Sequence, residues 1–106
     1  MPKYLLQCKY TVEGVKGLLK EGGSSRRAAV EKVVQSLGGT VEAFYYAFGE
    51  TDVYIITDGP DNISTTAGAL TVNATGTVTV KTTVLLTPEE VDEAVKKTPS
   101  YRPPGK

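Results

Sequence analysis

The order of its secondary-structure segments is the feature that most constrains this chain. Four stretches show strand-like alternation, and helical patterns follow the first and the third of them. The predicted strands are Lys3–Tyr10, Thr40–Phe48, Val53 to Thr57 or Asp58, and Thr77–Leu86. Three helices are predicted: the first begins near Val12, the second spans Asn62–Ala74, and the third follows Thr87. This order predicts an α+β domain with one antiparallel sheet, helices on one face and a short C-terminal helix, which is the ferredoxin-like βαββαβ arrangement.

Local signals place the ends of the helices. Thr11 is the expected N-cap of the first helix, and Gly22-Gly23 should loosen or kink that helix near its middle. Thr87-Pro88-Glu89-Glu90 combines a capping box with a proline at the first helical position, so it predicts a sharp helix start. Helix Asn62–Ala74 is a weak helix former that tertiary packing must hold. Its apolar residues lie at helical spacing: Ile63, Ala67, Leu70 and Ala74.

Several predicted strands are apolar on both faces. In the second strand, one alternating set is Val41, Ala43, Tyr45 and Ala47, and the other is Glu42, Phe44, Tyr46 and Phe48. The third strand repeats this pattern, and the valine face of the fourth strand should lie under the helices. Helices can cover only one face of such a sheet. The second face therefore needs a partner, and another copy of the chain is the simplest one, giving a homodimer or larger oligomer.

Composition excludes several classes of function. The chain has 12 basic and 12 acidic residues. Its net charge is therefore zero, which gives no overall electrostatic attraction to a nucleic acid or an anionic membrane. No apolar run approaches the ~20 residues of a membrane span, and no signal peptide is visible. The absence of histidine excludes hydrolases with a catalytic triad, and we expect no metal and no cofactor. The lone cysteine, Cys8, fits a reducing cytoplasm and is expected to be an inert buried thiol.

Short motifs along nearly the whole chain follow the pattern of a known family. They are Lys3-Tyr4-Leu5, Gly17-Leu18-Leu19-Lys20-Glu21-Gly22, Arg26-Arg27-Ala28-Ala29-Val30, Leu37-Gly38-Gly39, Ala47-Phe48-Gly49-Glu50, Lys81-Thr82-Thr83, Leu86-Thr87-Pro88-Glu89-Glu90 and Ser100-Tyr101-Arg102-Pro103-Pro104-Gly105. Together they resemble the GYD-domain family of small bacterial and archaeal proteins. The resemblance implies a fold like that of dimeric α/β-barrel proteins and implies no assigned activity. Gly49 and Asp52 match the family's glycine and aspartate, whereas Thr51 replaces the expected tyrosine, whose role would fall to Tyr54 or Tyr46.

Four residues are candidates for binding a ligand. Tyr46, Tyr54 and Lys81 could line a pocket between subunits, where a lysine beside tyrosines in a dry site can act as a base or carbonyl partner. Tyrosines are also favoured at interfaces for their area and polar tip, and that interpretation comes first. Asp52 follows a glycine turn, so it serves either as an acceptor for backbone N–H groups or as a carboxylate at the mouth of the pocket.

Two arginines are candidates for binding an anion. Arg26 and Arg27 follow Gly22-Gly23-Ser24-Ser25, where a helix start and flexible backbone could meet an anion. A hinge with arginines facing solvent is the favoured alternative, because no strand precedes the glycines as in a phosphate loop. In the tail, Tyr101-Arg102 could anchor the chain on another subunit, or the tail could stay loose.

These observations predict one domain over residues 1–98 with an extended C-terminal tail over 99–106. The leading functional hypothesis is a homo-oligomeric module that binds a small apolar or aromatic ligand or drives assembly. The first alternative is a cofactor-free oxygenase or isomerase of the dimeric α/β-barrel type that uses Tyr46, Asp52 and Lys81. The second is a structural protein that forms filaments or shells.

Overall fold

The structure is a computed structural model that describes residues 1–106. Its elements are β1 (Lys3–Tyr10), α1 (Val12–Glu21), α2 (Gly23–Ser36), β2 (Thr40–Tyr46), β3 (Val53–Asp58), α3 (Asn62–Ala74), β4 (Val78–Leu85) and α4 (Pro88–Val95). All pairings in the sheet are antiparallel, and the strand order is β2-β3-β1-β4. The predicted α+β class and ferredoxin-like order are therefore confirmed.

The hydrophobic core lies between the helices and one face of the sheet. Cys8 on β1 pairs in register with Val53 on β3 and Val80 on β4, so the three side chains share that face. Cys8 and Val53 are buried together with Ile55 and Val78. As the sequence predicts, Val78 and Val80 lie under the helices. The prediction is wrong for the other end of this face, where Val84 and Leu86 are 52% and 64% exposed.

A β-bulge in β2 changes which residues share a face. Val41 pairs with Thr57 and Ala43 with Ile56, so Glu42 is an extra residue in the ladder. Val41 therefore joins Phe44 and Tyr46 against the core. The strict alternation predicted for this strand is wrong at the bulge, because an inserted residue reverses the direction of every side chain before it.

Gly22 divides the first predicted helix into α1 and α2. Its backbone has φ of +84°, a conformation that glycine adopts without steric cost, and its N–H donates to the carbonyl of Leu18. The predicted caps are present: the Thr11 hydroxyl accepts from the N–H of Gly14 at 3.3 Å. At α4 the full capping box with Thr87 is formed.

Helix α3 presents a different face to the sheet than its apolar spacing suggests. Ile63 and Leu70 are 82% and 65% exposed, whereas Val72 packs against the core. The start of the helix is fixed by the hydroxyl of buried Tyr4, which donates to the Asn62 side chain at 2.6 Å. This hydrogen bond ties the first turn of α3 to β1. The helix turns a stripe of small residues to the sheet and its larger apolar stripe to solvent.

The C-terminal region extends away from this core. Every residue from Pro88 to Lys106 is exposed, and residues 97–106 contain no helix or strand. The radius of gyration is 16.9 Å, whereas a compact chain of this length has about 13 Å. The solvent-accessible surface is 7418 Å², whereas a compact monomer of the same mass exposes about 5,700 Å². An isolated protomer therefore leaves an unusually large surface uncovered.

Candidate functional site

A cavity of about 160 Å³ lies between the sheet and helices α2 and α3. The strands supply large apolar side chains to its wall, among them Leu6, Phe44, Ile55 and Val80. The helices supply Val30, Val33, Val34 and Val72 together with the small residues Ala29, Gly68 and Ala69. Most of the residues that line it are hydrophobic.

Small residues on the helices explain why this space is not filled. The centre of α3 presents Gly68 and Ala69 to the cavity, and Ala29 does so from α2. A core at normal packing density would have larger side chains at Ala29 and Ala69, whereas a Cβ at Gly68 would lie only 3.0 Å from Leu37 Cδ1. One sequence signal could have located the cavity. It is a set of small residues on the helices that face large apolar residues on the strands, and on α3 these small residues do not coincide with the larger apolar stripe.

The charged residues of the cavity wall lie at its two ends. Only Arg26 and Asp58 among the lining residues are charged. Asp58 is paired across the sheet with Lys3, whereas Arg26 lies near Tyr10. Lys3 precedes Tyr10 by seven residues on β1, so the two charged residues are separated by more than about 20 Å. The carboxylate of Asp58 accepts from the Lys3 ammonium at 2.8 Å. The same ammonium donates to the Glu42 carboxylate at 2.6 Å, so this end holds two carboxylates and one cation. Arg26 is the only cation of the cavity wall and lies at the opposite end.

Two tyrosines lie near Arg26. The Tyr10 ring lines the cavity, and burial raises the pKa of its hydroxyl to about 12, with the nearby Tyr46 acting in the same direction and Arg26 opposing it. The hydroxyl is therefore a neutral donor at physiological pH. Tyr46 donates to the carbonyl of Gly23 at 3.0 Å, which ties β2 to the start of α2.

The four predicted ligand-binding residues fall in three separate places. Tyr46 faces the helices, where its ring stacks on Phe48 at 5.5 Å between ring centroids. Tyr54 and Lys81 lie on the helix-free face, each paired in register with Gln7 on β1. The structure brings Tyr54 and Lys81 to the same strip of the sheet and places Tyr46 on the other face.

Asp52 lies at the end of β1 in a structural position. It is 5% exposed, and one carboxylate oxygen accepts from the backbone N–H of Tyr10 at 2.9 Å. The other accepts from the Lys9 ammonium at 3.1 Å, and the Asp52 N–H donates to the carbonyl of Cys8 at 2.9 Å. The hydrogen bonds of the Tyr10 and Asp52 N–H groups therefore continue the pairing of β1 with β3 beyond Val53, and the Lys9 contact adds an ion pair.

Thr51 reaches the helix-free face. Its hydroxyl donates to the Gln7 side chain at 3.2 Å, so it lies beside the strip that holds Tyr54 and Lys81. Lys81 is exposed and makes no ion pair. This strip therefore carries one unpaired cation among neutral polar groups.

The two predicted anion-binding arginines have different surroundings. Arg26 lines the cavity and makes one loose contact of 3.4 Å with the Glu21 carboxylate. Arg27 lies outside the cavity and faces Glu31 at 3.9 Å, one turn along α2. Burial raises the pKa of the Cys8 thiol to about 11, so this residue is a poor nucleophile. No three acidic or thiol side chains converge as a metal site would require.

An open antiparallel sheet with helices over an apolar cavity defines a small α+β domain of the ferredoxin-like class. A family model, the GYD domain, matches residues 4–95. The chain therefore belongs to the GYD-domain family. No curated protein and no solved structure matches it. None of its helices has the length and apolar character needed to cross a bilayer.

Proposed function

We propose that this protein is a homo-oligomeric binding module of the cytoplasm whose protomers each hold a small apolar or aromatic ligand. The observation that carries the proposal is the cavity beneath α2 and α3. Engineered apolar cavities of about 150 Å³ bind benzene, so this space is large enough for one aromatic ring or an aliphatic group of similar volume. We place the ligand here, on the helix side of the sheet.

Pairing of two copies through the helix-free face is the second part of the proposal. Leu5, Ile56 and Leu85 lie on that face and are only half-buried in the protomer, and Tyr54 beside them is 40% exposed. The excess surface of the protomer includes the fully exposed segment from Pro88 to Lys106, so the apolar side chains of the sheet face carry this part of the proposal. A stable interface covers about 800 Å² or more on each partner.

The geometry does not favour the alternative of a cofactor-free enzyme. That hypothesis requires Tyr46, Asp52 and Lys81 around one cavity. Tyr46 lies under the helices, whereas Lys81 lies on the opposite face, and both oxygens of Asp52 accept hydrogen bonds from β1. These three residues therefore have no common space in which a substrate could meet them.

A pair of matched variants tests the cavity. Toluene is titrated into isotope-labelled protein, and binding is read from chemical shifts of the backbone amides. In Ala69→Leu the added side chain enters the cavity, whereas in Ala67→Leu it points to solvent from the same helix. We expect saturable shifts around the cavity in the wild type and in Ala67→Leu, and none in Ala69→Leu. Absence of binding to the wild type, or equal binding to Ala69→Leu, would contradict the proposal.

A further inference from the structure

We propose that the ligand is a small apolar or aromatic carboxylic acid whose carboxylate is received by Arg26 at one end of the cavity. This inference rests on the proposed function, because it takes the cavity as the ligand site and names the chemical class that the site prefers. The cavity wall supplies the shape and size, and Arg26 supplies the charge.

The distribution of charge around the cavity places a ligand anion at the Arg26 end. Arg26 is the only cation of the wall, whereas at the other end Asp58 and Glu42 share the Lys3 ammonium and repel an anion. A ligand therefore meets apolar side chains along most of its length and one guanidinium at the end near Tyr10. An apolar body with one anionic end is the molecule that matches this arrangement.

Arg26 is able to accept a new partner. Its contact with Glu21 measures 3.4 Å, and the Glu21 side chain is 45% exposed. Strong charge-assisted hydrogen bonds are about 2.7–2.9 Å long, so the existing pair is loose. A guanidinium has five N–H donors in a planar fork, which fits a carboxylate with two parallel hydrogen bonds. A ligand carboxylate can therefore bind Arg26 without disrupting a well-formed ion pair.

The groups around Arg26 support an anion at this position. Tyr10 lines the cavity beside Arg26, and its protonated hydroxyl lies within hydrogen-bond reach of Tyr46. A carboxylate that enters this end can replace Tyr46 as the acceptor of that hydrogen bond. The second arginine of the sequence, Arg27, lies outside the cavity wall and faces Glu31. One guanidinium and one hydroxyl suit the single charge of a carboxylate better than the double charge of a phosphate monoester.

The test compares phenylacetate with toluene, which has the same ring and no carboxylate. Both are titrated into the wild type, Arg26→Gln and Arg27→Gln, with circular dichroism to check folding. The Arg26 side chain is 32% exposed, so solvent screens part of the charge, and a hydrogen-bonded ion pair there favours the acid by about threefold to tenfold. We expect this preference in the wild type and in Arg27→Gln, and its loss in Arg26→Gln with toluene binding retained.

The outcomes separate this inference from the proposed function. If toluene binds the wild type but phenylacetate binds no more tightly, the cavity is a ligand site and the assignment of an acid is wrong. The same holds if Arg26→Gln keeps the preference for phenylacetate. If neither probe binds the wild type, the proposed function fails and this inference fails with it.

Discussion

Replacing Asp52 with alanine removes the acceptor of two hydrogen bonds at the end of β1. The first comes from the backbone N–H of Tyr10 at 2.9 Å, and the second comes from the Lys9 ammonium at 3.1 Å. Asp52 itself is 5% exposed. Water therefore reaches this position poorly, and the Tyr10 N–H of the variant is left without a partner.

The two interactions have different sizes. A buried donor left unpaired costs about 1–3 kcal/mol. The Lys9 side chain is 53% exposed, and such ion pairs contribute about 0.2–1 kcal/mol because water and salt screen them. We therefore expect Asp52→Ala to lower the free energy of unfolding by about 1–4 kcal/mol. Lys9→Ala should lower it by less than about 1 kcal/mol.

Urea denaturation followed by circular dichroism measures both values at one fixed protein concentration, so that any association affects all variants alike. Asp52→Asn is the matched control, because its amide oxygen can still accept from Tyr10, and it should recover most of the loss. If Lys9→Ala destabilises as much as Asp52→Ala, the ion pair dominates. If Asp52→Ala is as stable as the wild type, Asp52 has no structural role and its assignment to ligand binding regains support.

Three further changes test other parts of the structure. Tyr46→Phe removes the hydrogen bond to Gly23 and should cost about 1 kcal/mol in urea denaturation; an unchanged midpoint would refute that contact. Thr87→Ala should speed amide exchange in α4 while leaving the urea midpoint of the core unchanged, since no α4 residue is buried; a shifted midpoint would show that α4 packs on the core. Folding raises the pKa of Cys8 from 9.0 to about 11 and that of Tyr10 from 10.0 to about 12. Each group contributes fully to stability below its unfolded pKa, and this contribution is lost as the pH rises toward the folded pKa. The free energy of unfolding should therefore decline from about pH 9 in the wild type and only from about pH 10 in Cys8→Ala. Identical pH profiles of stability for the two proteins would contradict this.

The sequence predicts the strands and caps because their signals are local. The capping box at Thr87 and the N-cap at Thr11 depend on residues within one turn, and both are present. The strand order follows from connection rules that the segment order already satisfies. These features require no knowledge of packing.

Features that depend on packing were not predictable in the same way. The bulge at Glu42 in β2 moves Val41 to the helix side, and nothing in the alternating pattern marks the inserted residue. The rotation of α3 depends on how it packs on the sheet, and Ile63 is 82% exposed although its spacing fits an apolar stripe. Arg26 was identified from its charge, but the cavity beside it depends on small residues whose position follows from that rotation.

Sedimentation equilibrium at micromolar concentration tests most directly whether the helix-free face is covered by a second copy. Ile56 lies on that face between Leu5 and Ala43, whereas Ile63 lies on the outer surface of α3. We expect at least twice the chain mass of 11.3 kDa for the wild type and for Ile63→Lys, and 11.3 kDa for a folded Ile56→Lys variant. A wild type that sediments at 11.3 kDa, or an Ile56→Lys variant that keeps the wild-type mass, would contradict pairing through this face.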